Sequence, residues 1–115
     1  MQKLLPISII FLGEVTAILA EIYGAKFYSM PGSSFAKIFF KLLPVIIIAG
    51  ILLLGGYMLG LKTFKNIWIV SVISITSILI AEPIIDYTVT KQLPTKGALI
   101  GLIFGVLGFI SALFL

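Results

Sequence analysis

The chain has 115 residues, 61% of them hydrophobic and only 10% charged, with a mean hydropathy of +1.29. An ordinary globular domain carries about 25% charged residues, so this composition excludes a soluble catalytic domain and points to one compact membrane domain. The absence of Cys and His removes disulfides, thiol chemistry and the commonest metal ligands. The positive charge behind the net +4 is all lysine, and those lysines flank apolar runs, so phospholipid headgroups are the expected partner rather than nucleic acid.

Four apolar stretches approach or reach the length of about 20 residues that crosses a bilayer: Leu4–Ala25, Leu42–Leu61, Ile67–Tyr87 and Gly97–Leu115. They predict an all-α membrane protein, a single domain over 1–115 built as a four-transmembrane-helix bundle. Lys3 and Ala17-Ile18-Leu19-Ala20 invite comparison with a signal peptide. Glu14 interrupts that apolar core and no small-x-small cleavage site stands out, so residues 4–25 are read as a retained helix.

Pro6 falls in the first turns of helix 1, where proline is tolerated. Tyr23, Phe27 and Tyr28 form an aromatic edge typical of a membrane interface. Met30-Pro31-Gly32-Ser33-Ser34 is the clearest turn. Phe35–Lys41 reads as an interfacial lead-in to helix 2, which contains Gly50, Gly55, Gly56 and Gly60. The short Lys62–Asn66 loop makes helices 2 and 3 antiparallel neighbours, Trp68 marks the next interface, and Pro83 lies inside helix 3. A second short loop, Thr88–Thr95, leads to helix 4, which starts near Lys96.

Lys3, Lys62 and Lys65 fall on one side of such a bundle, and Lys26, Lys37, Lys41, Lys91 and Lys96 on the other. This weak bias fits either an N-out, C-out orientation or insertion in both orientations.

All four carboxylates, Glu14, Glu21, Glu82 and Asp86, lie inside or at the end of apolar runs, where acids are costly and mark function by default. Glu14 and Glu21 are seven residues apart and share one face of helix 1 with Ala17 and Ile18. The eleven Leu, Ile, Phe and Val residues of Leu4–Ala25 favour insertion by roughly 3–7 kcal/mol. Each ionised acid near the centre costs about 2.5–3.5 kcal/mol, so two would cancel most of that gain. The face must therefore meet other helices or water, carry a proton, or bond a Ser, Tyr or Lys of another helix. Depth favours Glu14, since Glu21 lies about 10 Å nearer the loop. Glu82 and Asp86, one turn apart with Ser71 and Ser74 on their general face, read either as headgroup-zone acids paired with Lys91 or Lys96, or as a polar vestibule or second proton site where Pro83 leaves the Leu79 carbonyl free. Gly97, Gly101, Gly105 and Gly108 give helix 4 a small-residue face suited to a homodimer interface.

Ala17-Ile18-Leu19-Ala20-Glu21 with Gly24, Ser34-Phe35-Ala36-Lys37, and Leu99-Ile100-Gly101 with Gly108 resemble, at nearly constant spacing, the small multidrug resistance family of the drug/metabolite transporter superfamily. The resemblance implies four helices and an antiparallel homodimer in the cell inner (plasma) membrane. It makes Glu21 the shared proton and substrate site of an antiporter for cationic or amphipathic small molecules. Ile69, Val70, Val72 and Ser74 stand where that family usually has pocket aromatics, and the Gly-containing hinge of helix 3 is missing. Glu14 would line the same face, with Tyr23, Tyr57 and Ser74 completing the lining. Two alternatives stand beside this reading. One is a flippase for a lipid-linked sugar, with Lys37 and Lys41 as the nucleus of a phosphate pocket. The other is a non-transporting assembly subunit bound through the glycines of helix 4. No nucleophile, metal set or cofactor motif accompanies the acids, so neither an enzyme nor a cofactor is expected.

Overall fold

The computed structural model describes residues 3–115, apart from the Leu113 side chain. They form four α-helices: α1 (Leu4–Tyr28), α2 (Phe35–Phe64), α3 (Ile67–Thr90) and α4 (Lys96–Phe114). The principal extents are 48 × 34 × 19 Å. The longest axis matches the 30 residues of α2 at about 1.5 Å each, and the shortest leaves room for about two helix diameters.

α1 is the centre of the bundle. It packs along α2 most extensively and against α3 next, while α2 and α3 touch sparingly and α4 touches α3 alone. Small residues let the first three helices approach. A Cβ placed on Gly56 would lie 2.6 Å from Ile10 Cγ1, and one on Gly13 would lie 2.9 Å from Leu53 Cγ. Gly60 faces Val70 beside the α2–α3 loop. Ile10 and Val70 are fully buried there, joined by Ile18, Ala20, Ala49 and Ala81. Most large apolar side chains instead point outward, including Ile51, Leu54 and Phe104. A soluble monomer rarely exposes so much contiguous apolar surface.

Three helices, α1, α2 and α3, are long and apolar enough to cross a membrane. The fourth expected span is shorter than these: α4 is apolar over Lys96–Ala112. The segment Phe35–Lys41 is not a separate lead-in but the first two turns of α2. Ser34 is extended (φ −121°, ψ 128°) and its carbonyl accepts from Ile38 N at 3.1 Å, which starts the helix there. The next potential breaker, Pro44, is accommodated within the helix. α1 runs on to Tyr28, and the turn that follows needs Gly32, whose φ is +76°.

Helices α2 and α3 both end on a left-handed lysine, Lys65 (φ 60°) and Lys91 (φ 59°). Their N–H groups donate to Leu61 O and Tyr87 O, each at 2.8 Å. Asn66 Oδ1 then caps α3 by accepting from Trp68 N at 2.9 Å, and Thr95 Oγ1 caps α4 by accepting from Ala98 N at 3.1 Å. The hairpin order places Lys3, Lys62 and Lys65 at one end and the other five lysines at the opposite end. At that second end Lys26 Nζ donates to Val89 O at 3.1 Å, tying α1 to α3.

Candidate functional site

The α1–α3 interface brings two of the expected site residues together. Ser74, buried on α3, donates its hydroxyl to Glu14 Oε1 at 2.8 Å. Glu14 is half-buried near the middle of α1, next to Gly13, which presses on Leu53 of α2. The carboxylate is therefore held across the α1–α3 interface by Ser74. Glu21, two turns further along α1, is exposed.

Tyr23 and Tyr57 do not join this pair through hydrogen bonds among the described residues. The Tyr23 ring stacks obliquely on Phe27, with centroids 5.9 Å apart, and Tyr57 is half-buried on α2. The helix 4 glycines divide. Gly105 faces Leu79 of α3, where an added Cβ would lie 2.9 Å from the leucine Cδ2, so it packs within the subunit. Gly97, Gly101 and Gly108 have no atoms within 4 Å of an added Cβ and face open space.

Glu82 and Asp86 line a cleft beside α3. Lys91, an expected partner, instead sits over the Tyr87 ring at 5.7 Å.

Two open cavities follow from α4 touching α3 but not α1. The larger, about 1180 Å³, lies towards the α2–α3 loop and is mainly apolar, lined by Phe11, Leu12, Trp68, Ile73 and Phe109. The smaller, about 890 Å³, lies at the opposite end and is lined by Glu82 and Asp86 together with Lys26, Gln92 and Thr95. Helical spacing gave the acids of α3 one edge, but nothing local in the sequence revealed the cleft beside it. That cleft exists because α1 and α4 are both attached to α3 and not to each other.

The arrangement can hold a proton or a cation against fixed negative charge, and it offers apolar walls for an organic body. No group of acids suited to holding a metal ion occurs among the described residues. No family model matches the chain, and no curated protein or solved structure is similar to it at a significant level.

Proposed function

We propose that the chain is a small proton-coupled antiporter of cationic or amphipathic small molecules, with four membrane spans including the shorter α4. In this reading it works in the cell inner membrane as an antiparallel homodimer resembling the small multidrug resistance family. The observation that carries the proposal is the hydrogen bond from Ser74 to Glu14 across the α1–α3 interface, with Glu21 exposed on the same helix.

A carboxylate held mid-helix by one hydroxyl has little local compensation, so a bound cation stabilises it. Glu21 is the more accessible acid and the one its motif favours. It would exchange proton for substrate, while Glu14 lines the same face of α1. Alternation between the two membrane faces requires α1 to shift against α3, and the Ser74–Glu14 bond lies on that sliding surface.

Uptake of small cations driven by a pH gradient into proteoliposomes tests the proposal. Glu21→Gln is expected to abolish coupled uptake, and Glu14→Gln to reduce it by about ten-fold or more, as expected for losing a charged partner. Parent-level transport by both variants would overturn the mechanism.

A further inference from the structure

We propose that the cleft between α1, α3 and α4 beside Pro83 is a binding site for an amphiphile with a primary ammonium head, held by Glu82, Asp86 and the Leu79 carbonyl. It shares the membrane setting of the proposed function but not its residues, Glu14 and Glu21.

Three independent features converge on this ligand. The cavity holds about 890 Å³, within the range of about 300–1,000 Å³ typical of small-molecule sites. Its lining is divided: Ile22, Ile78 and Leu102 supply apolar wall, whereas Glu82 and Asp86 supply acceptors from one edge of α3. Finally, Pro83 has no N–H, so the carbonyl of Leu79 lacks its helical donor four residues on. Leu79 and Pro83 both line the cavity.

Two turns of α3, from Leu79 to Asp86, thus bring two carboxylates and a carbonyl without its helical donor to one cleft. A primary ammonium has three N–H donors, which matches three acceptors, and its charge offsets the acids. A quaternary ammonium has the charge but no donor. A resident cation does not already fill the role. Lys26, on the α1 wall, is bonded to Val89 O at 3.1 Å, and Lys91 lies over Tyr87. The apolar wall of Ile22, Ile78 and Leu102 gives an alkyl chain a surface to lie along while the head reaches the acids. A zwitterionic aminophospholipid and a free long-chain amine share this chemistry.

Isothermal titration of dodecylammonium into the full chain in phosphatidylcholine nanodiscs, corrected for empty discs, tests the site. The expected result is saturable binding at one site per chain, with dodecyltrimethylammonium several-fold weaker. The double variant Glu82→Gln, Asp86→Asn is expected to weaken binding about ten-fold or more. Pro83→Ala restores a donor to Leu79 while favouring the helix, and is expected to weaken binding without changing charge. The double variant Glu14→Gln, Glu21→Gln is expected to keep the parent affinity, which separates this site from the transport mechanism. Parent affinity in both the acid double variant and Pro83→Ala, or equal affinity for the quaternary amine, would overturn the proposal. Competition from phosphatidylethanolamine in the discs assigns the site to a lipid head, its absence to a free amine, and either outcome supports the site.

Discussion

The contact between Ser74 and Glu14 decides how an acid survives in the middle of an apolar helix. A hydrogen bond to a charged group is worth about 1.5–3 kcal/mol, and its loss leaves the acceptor unsatisfied. Ser74→Ala is therefore expected to lower stability in detergent by about 1–3 kcal/mol, read by chemical or thermal unfolding. Glu14→Gln keeps an acceptor for Ser74 and should cost less. Equal stability of Ser74→Ala and the parent would mean that the bond does not hold the interface. Glu14 stands out in the sequence by depth, and Ser74 as one of several lining candidates. Their pairing does not, because it depends on the register of α1 against α3, which residues 60 apart in sequence set only through packing. Glu82 illustrates the same limit. Proximity to the helix exit suggests a headgroup acid, but the cleft that it lines with residues of α1 and α4 is set only by packing.

At the scale of helices, the glycines of α2 are not equivalent. Gly56 meets Ile10 so closely that a Cβ would stand 2.6 Å from the isoleucine side chain and 3.2 Å from its backbone nitrogen, whereas Gly50 faces open space. Gly56→Ala is expected to destabilise by about 1–3 kcal/mol through overpacking. Gly50→Ala is expected to be neutral or to stabilise by about 0.5–1 kcal/mol from helix preference. Unfolding in detergent compares the two, and equal midpoints would contradict the close α1–α2 approach. Sequence made four helices legible because apolar length and turn residues are local signals. The starts and ends were less so. The first turns of α2 carry lysines that look interfacial, yet the Phe35, Ile38, Phe39 and Leu42 spacing is already helical. α2 and α3 end on lysines in a conformation usually left to glycine, so no glycine marked either stop.

For the molecule as a whole, α4 is the loosest element: it meets α3 where Gly105 lies over Leu79 and leaves Gly97, Gly101 and Gly108 open. In the proposed homodimer that open face receives a second copy. The chain has no Cys, so Gly108→Cys gives an unambiguous reporter. Oxidation in native membranes is expected to yield a disulfide-linked dimer on non-reducing gels, and a monomer band alone would exclude pairing through this face. The glycine spacing was visible in the sequence, but the division of labour within it was not, because the rotation and tilt of α4 against α3 decide which glycine meets α3 and which faces outward.

The central position of α1 carries a consequence for how such a chain is made. Of these four helices α1 is made before the two that pack against it, α2 and α3, and domains generally assemble from the N-terminal end during synthesis. Each later helix therefore emerges to find its main partner already present: α2 docks on α1, α3 on α1 with a brush of α2, and α4 on α3. No early helix waits for a distant late one. Within this bundle the order of synthesis matches the order in which packing partners become available.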